Sequence, residues 1–231
     1  FFKIKIIILI SFCLMISINS YASNVATPST SYQLLKAARM LDVNSGEIIN
    51  DVSVLIENKK IKAINPTTIP KNTQVINLGN QTILPGLIDM HVHLAQELDD
   101  TFKLRLVTED PTLEALHAAY NAKITLNAGY TTVRDLGVYM AGADSFPANN
   151  AISKAIDLGL VPGPRVISAG HFISMTGGHG DITGFAPGVR ELDYRHGVAD
   201  GVDEVIKAVR YQIKYGAKVI KFMATGGVVS E

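Results

Sequence analysis

The chain has no tryptophan and a single cysteine, Cys13. One thiol closes no disulfide, and Cys13 lies in an N-terminal apolar run where Phe12 before it does not suit a lipoprotein cleavage site. Beyond that run no thiolate is available as nucleophile or ligand, so any metal must be held by His, carboxylate or a chemically equivalent group. An excess of charge is also missing: 21 Lys and Arg balance 21 Asp and Glu. Without a basic cluster the chain offers nothing that would attract nucleic acid or an anionic membrane surface. A small neutral substrate, or one whose charges cancel, fits better. Apolar residues make up 47% of the 231, enough to build a real core and to exclude a disordered chain.

The first two dozen residues stand apart. Lys3 and Lys5 precede the apolar run Ile6 to Ile18, and Asn19-Ser20-Tyr21-Ala22-Ser23 follows it. That three-part form is a secretory signal peptide over residues 1–22, with small residues at Ser20 and Ala22 placing the cut after Ala22. The run is too short for a comfortable transmembrane span. The expectation is an exported protein, periplasmic or extracellular, without stable membrane insertion after cleavage; an uncleaved N-terminal anchor is the alternative. The chain begins with Phe and stops at Glu231 just after a Gly-rich turn, and it reads as a fragment.

Between residues 23 and 84 the pattern is short and β-like. Leu34 to Leu41, Asp51 to Glu57, Ile61 to Ile64 and Gln74 to Leu78 are separated by turn signals such as Asn44-Ser45-Gly46. This predicts a small β-sandwich-like domain. After Pro85 strand-like runs alternate with helical stretches, the signature of a parallel α/β architecture. The runs are Gly86 to Val92, Thr131 to Leu136, Arg165 to Ala169 and Lys218 to Met223. A helix opened by Asp110-Pro111 is expected to turn Leu113, Leu116, Tyr120 and Ile124 to one face, and Val202, Val205, Ile206, Val209 and Ile213 keep helical spacing before the fourth run. Four such units over residues 85–231 suit the first half of a TIM-type (β/α)8 barrel, since a complete one needs about 250 residues. Half a barrel leaves sheet edges open, so this piece alone is expected to be unstable or aggregation-prone.

The segment Pro85-Gly86-Leu87-Ile88-Asp89-Met90-His91-Val92-His93-Leu94 carries the most chemistry. Alternate residues of a strand point the same way, so His91 and His93 project together and can take one metal from one side. Two satisfied surface or core histidines are the bland reading. In the fourth run, Lys221 lies among apolar residues, where an ammonium is expensive to bury. A neutral amine can add carbon dioxide and become a carbamate, which turns a repelling cation into an anion with two oxygens. A lysine whose stem snorkels to solvent is the alternative, a role that suits Lys218 and Lys214 better. Gly177-Gly178-His179-Gly180-Asp181 forms a glycine-rich loop after the third run, in which His179 could contact a substrate carbonyl or carboxylate or the hydrolytic intermediate, a plain turn being the alternative. His171 could support the site from behind. His117 and His196 read as structural, Arg134 and Asp135 as a pair or as orienting groups, and Asp89 as support for an imidazole.

The Pro-Gly-Leu-Ile-Asp-x-His-x-His run after a small β domain resembles the amidohydrolase superfamily, and Ile173 to Asp181 resembles its Xaa-Pro dipeptidase-like and imidazolonepropionase-like branch. The resemblance implies that His91 and His93 bind the more buried ion of a mono- or binuclear centre and that Lys221 is a carboxylated lysine bridging two metals, with two Zn2+ as the expected pair. It implies a metal-activated hydroxide attacking an amide carbonyl, with a dipeptide ending in proline as substrate class. A cyclic-amide hydrolase or a deaminase of the same superfamily stays open, as does an inactive truncated product or binding protein, and a homo-oligomer. The resemblance also calls for two histidines and an aspartate on later strands, positions that this sequence does not contain.

Overall fold

A computed structural model describes residues 30–139 and 146–227. The signal-peptide segment and Cys13 lie outside the described residues. The chain divides into two compact units, one ending at Leu84 and the other starting at Pro85.

The first unit contains β1 (Tyr32–Leu41), β2 (Ile48–Glu57), β3 (Lys60–Ile64), β4 (Gln74–Asn77) and β5 (Thr82–Ile83). They form one sheet in the order β3-β2-β1-β4, with β5 also pairing β1. The neighbours β1, β2 and β3 run antiparallel, whereas β4 and β5 lie parallel to β1. Asn58 and Lys59, both at positive φ, make the tight turn from β2 to β3, a twist that matches the strands it joins. Ala37 and Met40 of β1 pack on Val52 and Val54 of β2. The expected sandwich is not what the described residues form: both β4 and β5 add to β1, so no strands remain for a second layer.

The second unit has a parallel sheet, β6 (Leu87–Val92), β7 (Tyr130–Asp135) and β8 (Arg165–Ser168), in the order β6-β7-β8. Its helices are α1 (Phe102–Thr108), α2 (Pro111–Asn127), α3 (Ala148–Asp157) and α4 (Gly201–Lys214), with one 3-10 turn at Tyr194–His196. Pro111 opens α2, and the Asp110 carboxylate accepts from the Thr112 and Leu113 N–H groups. α2 does not bury the face its large residues suggested. Leu113, Leu116, Tyr120 and Ile124 are 40–64% exposed. Ala118 and Ala122 face the core instead, against a cluster that includes Val133, Ile152 and Val166. Small side chains let the helix lie close to the sheet, and the large stripe is left on the other side. In α4, likewise, Ala208 and Gln212 are the buried residues, while Val202, Ile206 and Ile213 are exposed.

Two further departures bear on the site. The short helix α1 was not anticipated: Thr101 before it gives no side-chain cap, and nothing in the local sequence announces a start. The fourth run, Lys218 to Met223, is not a continuous strand. It joins its neighbour through a single parallel bridge, Ile173 to Phe222. The Lys218 N–H donates to the Ser168 carbonyl, and the Ile173 N–H to the Lys221 carbonyl. Its apolar pattern is that of a strand, but its other edge has no strand partner among the described residues.

Candidate active site

His91 sits near the C-terminal end of β6, and His93 follows its last residue. The pairing of β6 with β7 slips between Asp89 and Val92, an irregularity of the kind that re-aims side chains at sheet ends. The two rings nevertheless come together, with centroids 5.4 Å apart and planes at 66°. His93 Nδ1 lies 2.7 Å from the Gly137 carbonyl oxygen. A carbonyl only accepts, so Nδ1 is the donor, and in the neutral ring Nε2 is the nitrogen left with a lone pair, the tautomer in which an imidazole can bind a cation. Gly137 has φ near +118°, and a Cβ there would come within 2.7 Å of the Phe172 ring, so a side chain at this position would disturb His93's acceptor. Burial holds the pKa of His91 below the ordinary imidazole value, and positive charge on His93, Lys221 and Arg134 lowers it further. Lys221 is half-buried rather than enclosed, and it lies near enough to His91 for their charges to interact.

Asp135, fully buried at the end of β7, holds the strand ends in place. Its carboxylate accepts from the Leu94 N–H at 2.8 Å, the Gly137 N–H at 3.1 Å and the Asn149 side chain at 2.8 Å. It thereby ties the residue after His93 to the residue that bonds His93. Burial pushes its carboxyl pKa up, against the pull of these donors. It does not pair with Arg134, whose Nε donates to the Met90 carbonyl, because neighbouring residues of a strand face opposite sides. Asp89 bonds the backbone N–H of His91 rather than an imidazole. The expectation for Lys218 agrees with its surroundings: its ammonium is 3.3 Å from the Asp157 carboxylate at the surface.

His179 is brought to the same end of the unit. Its carbonyl accepts from the Tyr139 hydroxyl at 2.6 Å, and its ring lies against Gly227. A cavity of about 370 Å3 opens here, lined by His93, Phe102, Leu106, Tyr139, Phe172 and His179 among others; His91 and Lys221 do not line it. Phe102, Tyr139 and Phe172 were missed in the sequence because they come from three separate segments. Behind them His171 and His196 are buried, with ring centroids 6.1 Å apart. His171 Nδ1 donates to the Val138 carbonyl at 2.9 Å, and Nε2 has no hydrogen-bond partner. Burial depresses its pKa to about 4. His196 caps the 3-10 turn with Asp193, which fits its structural reading.

Among the described residues no set of three or more His, Cys, Asp or Glu side chains is gathered to hold a metal ion. The group of His91, His93 and Lys221 is of another kind, because its third member is a lysine. No helix among the described residues is long and apolar enough to cross a membrane.

Residues 82–231 match the model of the amidohydrolase family. The chain belongs to that family. Its curated relatives include ochratoxinase of Aspergillus niger, 35% identical over 215 residues that cover 84% of this chain and 42% of the relative. Among solved structures, an Xaa-Pro dipeptidase with bound methionine in its active site is 34% identical with a TM-score of 0.72, covering 87% of this chain and 48% of that one. The crystal structure of A. niger ochratoxinase gives a TM-score of 0.68 at 31% identity. Guanine deaminase of E. coli, at 18% identity and a TM-score of 0.58, shares the fold. The chain spans about half the length of these amidohydrolases.

Proposed function

We propose that the whole protein is a metal-dependent amidohydrolase that cleaves an amide C–N bond, and that it acts as a dipeptidase of Xaa-Pro type. The observation that carries this reading is the pair of imidazoles 5.4 Å apart, one of them with its Nδ1 proton committed to Gly137. In this reading β6, β7, β8 and the Lys218–Met223 run are the first four staves of a (β/α)8 barrel, and the site lies at their C-terminal ends. The 34% identity to an Xaa-Pro dipeptidase supports the substrate class.

The donor set fits divalent ions of the kind this family uses, with two Zn2+ as the proposed pair. His91 and His93 would hold the metal through neutral imidazole nitrogens, and a Lys221 carbamate would add two oxygens. When bound, the metal supplies a Lewis acid and lowers the pKa of water toward neutrality. Formation of the carbamate joins the neutral Lys221 amine to carbon dioxide and releases a proton. The chain's own residues supply order: Asp135 ties the Leu94 backbone beside His93 to Gly137, the Gly137 carbonyl fixes the His93 tautomer, and His179, at the cavity, would meet the substrate's carbonyl or carboxylate. Residues 1–22 are read as an export signal, which would put this chemistry in the periplasm or outside the cell.

The test is metal analysis of the full-length protein together with hydrolysis of a panel of Xaa-Pro peptides before and after chelation. Bound metal, and activity that is lost on chelation and restored by Zn2+, are expected. A metal-free protein whose activity is indifferent to chelation would refute the scheme.

A further inference from the structure

The cavity beside His93 has a wall of one character. Phe102 packs edge-on against Tyr139 at 5.5 Å between ring centroids, and Tyr139 against Phe172 at 4.7 Å. Leu106, buried on the same helix as Phe102, extends the apolar surface. Tyr139 presents its ring and not a free donor, since its hydroxyl is committed to the His179 carbonyl. Two of the acidic groups at the cavity are also engaged. Asp99 pairs with Arg105 at 2.8 Å, and Asp181 accepts from the Gly177 and Ile182 N–H groups. Two of the carboxylates are thus spent on holding α1 and the glycine loop, while Phe102 and Tyr139, backed by the buried Phe172, are left at the open volume. At about 370 Å3 that volume falls in the range of small-molecule sites and exceeds what a methyl group could fill.

We propose that this cavity is the subsite for a large apolar, preferentially aromatic, side chain of the cleaved substrate, and that Phe102 of α1 is the residue that sets the preference. The inference rests on the dipeptidase reading for its substrate, in which the side chain is that of Xaa. Aromatic rings favour edge-to-face contacts at the separations seen along this wall, so a phenyl group would continue the ladder. Phe102 is the exchangeable rung: Phe172 is almost wholly buried and Tyr139 holds the His179 loop, whereas Phe102 stands on a short helix at the rim.

The experiment compares kcat/KM for Phe-Pro and Gly-Pro in the full-length wild type, Phe102→Ala and Phe102→Trp. Wild type is expected to favour Phe-Pro by about tenfold or more, the scale of discrimination an apolar pocket gives. Phe102→Ala should shrink that ratio by roughly tenfold, chiefly through KM, and Phe102→Trp, which fills the space, should turn the ratio toward Gly-Pro. A ratio unchanged in both variants overturns the assignment and leaves the dipeptidase reading intact. If no Xaa-Pro peptide is cleaved, it is that reading that fails. Calorimetric titration with N-acetyl-phenylalanine against N-acetyl-alanine then reads the subsite alone: a phenyl preference lost in Phe102→Ala supports it, and no preference in wild type sinks it.

Discussion

Lowering the pH from 7 to 4 should destabilise this fold through His171. The residue is 1% exposed, donates from Nδ1 to Val138 and leaves Nε2 without a partner, so a second proton would place an uncompensated charge in the core. Its pKa falls from 6.5 to about 4 on folding. Above pH 6.5 the imidazole is neutral in both states and contributes nothing. As the pH falls, the unfolded chain takes up the proton first, and stability is lost until the folded residue also titrates near pH 4. At roughly 1.36 kcal/mol for each pH unit, the gap corresponds to a loss of about 3 kcal/mol. His196 is depressed in the same direction by its own burial, so the measurement must isolate one residue. His171→Asn keeps a donor for the Val138 carbonyl and removes the titration. Urea unfolding of both proteins, metal-stripped so that metal loss in acid plays no part, should show the variant losing about 3 kcal/mol less than wild type across that interval. Parallel profiles would refute the reasoning.

Asp135→Ala should cost several kcal/mol, since it strands the buried N–H groups of Leu94 and Gly137 at roughly 1–3 kcal/mol each; thermal unfolding reads the loss. Lys221→Ala should abolish metal-dependent hydrolysis, and an added short carboxylic acid that replaces the carbamate oxygens should restore part of it. A variant as active as wild type would remove Lys221 from the site. Arg105→Gln should lower global stability only modestly, because the Asp99 carboxylate it pairs with is half-exposed to solvent, yet hydrogen exchange in α1 should quicken. Ala122→Leu, directed into the core, is expected to destabilise by about 1–3 kcal/mol, whereas Leu116→Ala on the exposed stripe should be nearly neutral in the described unit.

The readable parts of the site are those whose chemistry is local. His91 and His93 are two residues apart, so strand geometry alone brings them together, and not even the slip in β6 parts them. The alternation of β6, β7 and β8 with α2 and α4 was also legible, because buried parallel strands announce themselves as apolar runs, while α1 gave no such signal. What failed to show is what depends on partners far along the chain. The faces of α2 carry a large-residue stripe and an alanine stripe at the same helical spacing, and hydrophobicity alone favours the wrong one. Lys218 to Met223 has a strand's composition, but a strand also requires neighbours. The tie from Asp135 to Leu94 and Asn149 spans separate segments, and so does the aromatic wall.

Gly137 holds one end of His93 with its carbonyl while its α-carbon abuts Phe172. A guest molecule that pressed on the rings would therefore strain the imidazole's anchor as well. If the ring wall selects the substrate and His93 holds the metal, as proposed, one mechanical joint would serve both, and an engineer who reshaped one would be retuning the other.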